Sequence, residues 1–159
     1  KRCSLRTIRR ASAQLVRLAV GARAGLRREA FGWLAAAVPQ LRPAIVVVLL
    51  RAMEAIALRR PEEDGLVGQL VGILVRLRGP SGLLTSKFAE TRLVQIALRT
   101  ASLAVLPVAD VFGGMVHSTD MRRRRSAARS LAKIFSEARS AEVSREIAQR
   151  LAAFVWGGD

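Results

Sequence analysis

The chain has 159 residues, of which 51% are hydrophobic and 25% charged, so it can form one globular domain with a hydrophobic core but not two of ordinary size. Lys and Arg number 27 against 12 Asp and Glu, a formal charge of +15 that calls for a polyanionic partner, either nucleic acid or an anionic membrane face. One Cys and one His exclude a disulfide framework and a metal site built from Cys and His alone.

The N-terminal region is basic and has the pattern of an amphipathic helix. Residues 1–28 contain nine basic side chains and no acid, a composition typical of a mitochondrial transit peptide or of sequence beside one. A basic surface helix of the folded protein is the alternative, and it is the one we favour. Apolar residues recur at helical spacing between positions 5 and 19. The opposite face of this helix would carry Arg2, Arg6, Arg9, Arg10 and Arg17.

Helical periodicity continues along the rest of the chain. Residues 79–86, GPSGLLTS, interrupt it and predict a loop. Pro61 suits a first helical position, and the three acids that follow it would complement the dipole of the first turn. Asp120 is a candidate N-cap. The predicted helices span residues 4–20, 26–38, 43–59, 61–77, 87–106, 107–117, 120–139 and 141–156.

The predicted helices form four pairs that resemble one another. Each pair has an apolar helix, a tight turn about nine or ten residues after an Arg, and a second apolar helix. The four arginines are Arg17, Arg51, Arg99 and Arg129. Units of this size stack into α-solenoids. We therefore predict an all-α fold of four stacked helical hairpins, one helical-repeat domain over residues 1–159 with a loop insertion at 79–86. An ordinary all-α bundle is the alternative.

The small and aliphatic residues of segment 13–38, AQLVRLAVGARAGLRREAFGWLAAAV, recur loosely downstream. In this the chain resembles the helical-hairpin repeats of organellar RNA-binding proteins, namely the heptatricopeptide and octotricopeptide families and the related FAST-kinase-like repeats. The resemblance covers about residues 15–156. It implies a role in organellar RNA metabolism, and some protists have recruited such proteins as mitochondrial ribosome subunits. The RAP-like segment that often accompanies these repeats is absent from the sequence.

No motif in the sequence indicates catalysis. The loop before Lys87 lacks the Gly-Lys-Ser/Thr of a phosphate-binding loop. The adjacent Ser86 and Lys87 would point apart on a helix and form no dyad. His117 stands alone, as a solvent-exposed or capping residue would. We therefore expect no enzyme, no cofactor and no metal site. The longest apolar run, residues 44–50, is far shorter than a membrane span, so we expect no integral membrane segment.

The specific signal is a basic stripe on the seventh predicted helix. Four like charges at spacings of three and four residues repel one another unless an anion offsets them. The stripe would contain Arg122, Arg125, Arg129 and Lys133, beside Arg123 and Arg124, and opposite Ala127, Leu131, Ile134 and Phe135. A phosphate backbone would supply the anion. A solvated Arg surface and a helix lying on a lipid surface are the alternatives.

The few aromatic residues bear on the kind of RNA that would bind. The chain has five Phe, two Trp and no Tyr. We expect Phe31, Phe112, Phe135 and Phe154 in the core. Little would remain to stack on unpaired bases, so Arg contacts with the backbone of folded RNA are favoured over single-strand binding.

The sequence thus predicts a non-catalytic RNA-binding structural subunit of an organellar ribonucleoprotein, in particular a mitochondrial ribosome of the matrix. Its partners would be ribosomal RNA and neighbouring proteins. A trans-acting RNA-processing factor is one alternative, and a scaffold subunit of a respiratory or ATP synthase complex is another. The predicted RNA-binding residues are Arg2, Arg6, Arg9, Arg10, Arg122, Arg123, Arg124, Arg125, Arg129 and Lys133.

Overall fold

The computed structural model describes residues 4–59, 63–78 and 86–156, and these residues form eight α-helices and no β-strand. The predicted fold class, all-α, is confirmed. Arg2, Pro61 and most of the predicted loop, residues 79–85, lie outside the described residues. In chain order the helices are α1 Leu5–Gly21, α2 Ala24–Ala37, α3 Pro43–Arg59, α4 Asp64–Leu77, α5 Ser86–Arg99, α6 Pro107–Val116, α7 Met121–Glu137 and α8 Ala141–Trp156.

The predicted fifth helix is too long, because α5 ends at Arg99 and not at residue 106. The side chains that follow it bond to the backbone. Thr100 Oγ1 accepts the backbone N–H of Ser102 at 3.0 Å, and Ser102 Oγ accepts that of Ala104 at 3.1 Å. Such bonds give the backbone an alternative to the α-helical ladder. A short 3-10 turn, Leu103–Val105, then leads to α6.

The fourth helix begins three residues later than predicted, at Asp64. Glu63, which we expected to complement the helix dipole, instead forms an ion pair with the guanidinium of Arg27 on α2. Arg27 Nε donates to Glu63 Oε1 at 2.9 Å. This pair ties the start of α4 to α2.

The helices pack in two layers. In the odd-helix layer α1 packs against α3, α3 against α5, and α5 against α7. In the even-helix layer α2 packs against α4, α4 against α6, and α6 against α8. Contacts of α3 with α4 and of α6 with α7 join the layers. A short solenoid and a two-layer bundle share these contacts, so the choice between them stays a prediction.

The apolar core lies between the two layers. The largest fully buried side chains include Leu50 and Met53 of α3, Leu70 of α4 and Phe112 of α6. Burial removes roughly 25 cal/mol of unfavourable hydration per Å² of apolar surface and holds the layers together. The layers therefore form one continuous core, and their outer faces are available for polar side chains.

The expected burial of four Phe residues is only partly met. Phe31 and Phe112 are fully buried, but Phe135 is 43% exposed, which corrects the prediction. Ile134 is buried on α7, and the next residue along a helix projects about 100° away from it. Phe135 therefore leaves the core-facing side of α7. The side chain of Phe154 lies outside the described part of the structure.

Candidate nucleic-acid interface

The two helix layers differ sharply in charge. The four helices of the odd-helix layer contain fifteen Arg and Lys against three Glu, a net charge of +12. The four helices of the even-helix layer contain five Arg against five Asp and Glu, a net charge of zero. The charge excess of the chain is therefore concentrated on one side of the fold.

The layers also differ in how their basic residues are paired. Among the described residues of the odd-helix layer, thirteen of the fifteen basic side chains form no ion pair, and the two that do are Arg92 and Lys133. In the even-helix layer, Arg150 forms a bidentate pair with Asp110, at 2.6 and 2.8 Å. That hydrogen bond and the attraction of the carboxylate raise the pKa of Arg150. Arg28, Arg76 and Arg145 of the even-helix layer also form no ion pair with a described residue, so the layers differ in the number of unpaired cations, thirteen against three.

Helix α7 carries the basic stripe on the side opposite its buried residues. Ala127, Leu131 and Ile134 are buried. The six predicted RNA-binding residues of this helix are all exposed: Arg122, Arg123, Arg124, Arg125, Arg129 and Lys133. Asp120 Oδ1 accepts the backbone N–H of Arg122 at 2.8 Å, which confirms the predicted N-cap. The cap fixes where the helix begins and so which side the stripe occupies.

Helix α1 adds a second basic surface to the same layer. Arg6, Arg9 and Arg10 are exposed, while Ser12 and Ala19 of the same helix are buried. The helix starts at a Ser4 N-cap, whose Oγ accepts the backbone N–H of Thr7 at 3.2 Å. The predicted residues of α1 and α7 therefore lie on the first and last helices of one layer, with α3 and α5 between them.

Three grooves lie between neighbouring helices of the odd-helix layer. The α1–α3 groove has a volume of about 240 Å³, and Arg9 and Arg51 line it. The α3–α5 groove, of about 560 Å³, is lined by four arginines: Arg51, Arg59, Arg92 and Arg99. The α5–α7 groove, of about 270 Å³, is lined by Lys87, Arg129 and Lys133. Predicted and unpredicted basic residues thus share these grooves.

The sequence analysis did not assign binding to Arg51, Arg59 or Arg99, although all three are exposed in the odd-helix layer. A signal was available for two of them. The comparison of the predicted hairpins aligned Arg51 and Arg99 with Arg129 of the predicted stripe. In the structure Arg51 and Arg129 lie at the middle of α3 and α7, whereas Arg99 is the last residue of α5.

His117 and Ser86, two of the polar residues considered as catalytic candidates, lie at the ends of helices. His117 is exposed at the end of α6. Ser86 Oγ donates to the backbone carbonyl of Arg78 at 3.2 Å, a contact between the ends of α4 and α5. No cluster of His, Cys, Asp or Glu within the described ranges has the makings of a metal site. Nor does any helix in those ranges combine the length and the apolar character that crossing a membrane requires.

Exposed aromatic side chains are few in both layers. Trp33 of α2, which the sequence analysis did not single out, is 73% exposed in the even-helix layer near the exposed Leu26 of the same helix. In the odd-helix layer, Phe135 of α7 is 43% exposed. Phe88 of α5 is half-buried, and the guanidinium carbon of Arg92 lies 5.9 Å from its ring centre. The odd-helix layer is thus far richer in unpaired cations than in stacking surfaces.

Comparison with known proteins adds no family assignment: no protein-family model, no curated protein and no solved structure matches the chain.

Proposed function

We propose that this protein is a non-catalytic RNA-binding structural subunit of an organellar ribonucleoprotein, a mitochondrial ribosome in particular, that clamps folded RNA through Arg–phosphate contacts. The observation that carries the proposal is the charge of the odd-helix layer, +12 against zero for the even-helix layer. Thirteen unpaired cations on one side of a fold repel one another. A polyanion bound there removes that repulsion and releases its own condensed counterions.

The structure favours RNA over a lipid surface as the polyanion. A basic amphipathic helix binds a membrane by inserting its apolar face among the acyl chains. The apolar residues of α7, Ala127, Leu131 and Ile134, are instead buried in the protein. The basic surface would therefore meet lipid headgroups chiefly by charge, whereas its closely spaced arginines can grip successive phosphates of folded RNA.

The side-by-side packing of odd-numbered helices is compatible with the predicted stacked-hairpin solenoid. The basic N-terminal segment supports the organellar location. The neutral even-helix layer with its exposed Trp33 favours contact with neighbouring proteins, as a subunit of a large assembly would need. The same feature favours, as a second candidate, a scaffold subunit of a respiratory or ATP synthase complex. A trans-acting RNA-processing factor would share the basic layer but would be soluble on its own.

Sedimentation of the native protein distinguishes these functions. Extracts are run on sucrose gradients with and without ribonuclease, and the protein is followed by immunoblot. A ribosomal subunit co-sediments with ribosomal particles and moves to lighter fractions after ribonuclease. If the protein stays with a membrane complex that detergent releases and ribonuclease leaves intact, the scaffold function replaces the ribosomal one.

A further inference from the structure

The groove between α3 and α5 has an unusual lining. Of its seven lining residues, four are arginines and one, Glu54, is acidic. Glu54 is only 7% exposed, and its Oε2 accepts a hydrogen bond from Arg92 Nη1 at 3.0 Å. Arg92 of α5 thus neutralises Glu54 of α3, the one acidic residue that lines the groove.

The other three arginines of the groove are exposed and form no ion pair with any described residue. Arg51 and Arg59 lie on α3, and Arg99 lies at the end of α5. After the Glu54–Arg92 pair is discounted, the groove carries a charge of three positive units. Arg92 cannot turn away from the groove without leaving a buried carboxylate unpaired, so the pair also fixes the position of the groove floor.

The dimensions of the groove favour a stretch of polymer over a single small anion. Arg51 and Arg59 are eight residues apart on one helix, which places them about 12 Å apart along its axis. Cations spread over that length can contact successive phosphates of one strand at the same time, which a single small anion does not offer. Arg51 also lines the adjoining α1–α3 groove with Arg9, so the two grooves form one path across α3.

We infer that the α3–α5 groove binds the phosphodiester backbone of folded RNA, with Arg51, Arg59 and Arg99 contacting phosphates and the Glu54–Arg92 pair forming the floor beneath them. This inference rests on the proposed function, and it extends the interface from the two outer helices of the layer to its centre. The backbone then runs across the whole odd-helix layer, from α1 to α7.

The test compares two triple variants with the wild type. The groove variant is Arg51→Gln, Arg59→Gln and Arg99→Gln. The control variant removes the same charge from exposed arginines of the even-helix layer: Arg28→Gln, Arg76→Gln and Arg145→Gln. Affinity for a 20-base-pair RNA duplex is measured by fluorescence anisotropy between 50 and 200 mM salt, for two unrelated sequences. Circular dichroism melts establish that each variant folds.

Three lost phosphate contacts should reduce the slope of log K against log salt by about 2 to 3. The ratio of the wild-type affinity to that of the groove variant should therefore be about 40 times larger at 50 mM salt than at 200 mM salt. The control variant should keep the wild-type slope, and the two RNA sequences should behave alike because phosphate contacts carry no base information.

Other outcomes overturn the inference in separable ways. Equal slopes for the groove and control variants would show that the groove is not part of the interface while leaving RNA binding intact. A wild-type protein without salt-dependent affinity for the duplex would instead refute the proposed function itself, and the groove inference with it. If the groove variant lost binding to phosphatidylserine vesicles but kept the wild-type RNA affinity and salt slope, the groove would be assigned to lipid headgroups instead.

Discussion

Arg27 shows that charge alone does not identify a binding residue in this chain. It lies within the basic N-terminal region, yet it is only 5% exposed. Its Nη1 donates to the carbonyl oxygens of Ala19 at 2.9 Å and Ala22 at 2.7 Å, both at the C-terminal end of α1. Its other nitrogens bond Glu63 before α4. One guanidinium thus joins three helices.

Replacing Arg27 with Met should destabilise the fold strongly. The variant removes the guanidinium that pairs with the largely buried Glu63 carboxylate and donates to two carbonyls at the end of α1, and breaking a buried pair costs about 3 to 5 kcal/mol. Urea unfolding measures the change. Arg28→Met, at the exposed neighbouring position, is the matched control and should stay within about 0.5 kcal/mol of the wild type. Equal midpoints for the two variants would contradict a clamping role for Arg27.

At the scale of the element, the helical period allowed the faces of α7 to be predicted from the sequence. It did not allow the end of α5 or the pairing of helices to be predicted. A charge stripe opposite an apolar stripe can be read from spacing alone, and the structure places those residues as the period requires, except at Phe135. The end of α5 was missed because side-chain bonds from Thr100 and Ser102 to the backbone depend on burial that a linear sequence does not show. The period says nothing about which helices are neighbours.

The stripe on α7 should contribute to RNA binding without contributing to the fold. Changing Arg122, Arg125 and Arg129 together to Gln should leave helix content unchanged and should not lower the melting temperature, because all three are exposed and Gln is a good helix former. The slope of log K against log salt for duplex RNA should fall by about 2 to 3. An unaltered slope in anisotropy titrations would remove the stripe from the interface.

Helix α1 should behave as a packed helix and not as a free basic tail. Leu15 is half-buried against the core, whereas Leu18, one turn away, is 74% exposed. Leu15→Asp places a carboxylate without a partner against apolar surface, which should cost several kcal/mol, roughly. Leu18→Asp adds the same charge to the same helix at little cost. Identical thermal melts of the two variants would indicate that α1 does not pack on the fold.

At the scale of the whole molecule, the sequence shows the size of the net charge but not that this charge is concentrated on one side of the fold. The formal charge of +15 is visible in the composition. Its concentration in the odd-helix layer arises because helices alternate between layers along the chain, so basic segments far apart in sequence come together. The α3–α5 groove likewise joins Arg51 and Arg59 to Arg99 across two helices. Such sites follow from packing and not from any local motif.

The concentration of charge on the odd-helix layer allows a test that does not depend on any single arginine. Thr91 is exposed on α5 in the odd-helix layer, and Gln149 is exposed on α8 in the even-helix layer. In a variant whose native Cys3 is changed to Ser, a cysteine is placed at one or the other position and coupled to a photo-crosslinker.

The even-helix layer lies one helix diameter, about 10 Å, farther from an RNA bound to the odd-helix layer. A crosslinker of shorter reach should therefore capture duplex RNA from position 91 and not from position 149. Equal crosslinking yields from both positions, measured on denaturing gels, would mean that RNA does not select the basic side of the fold.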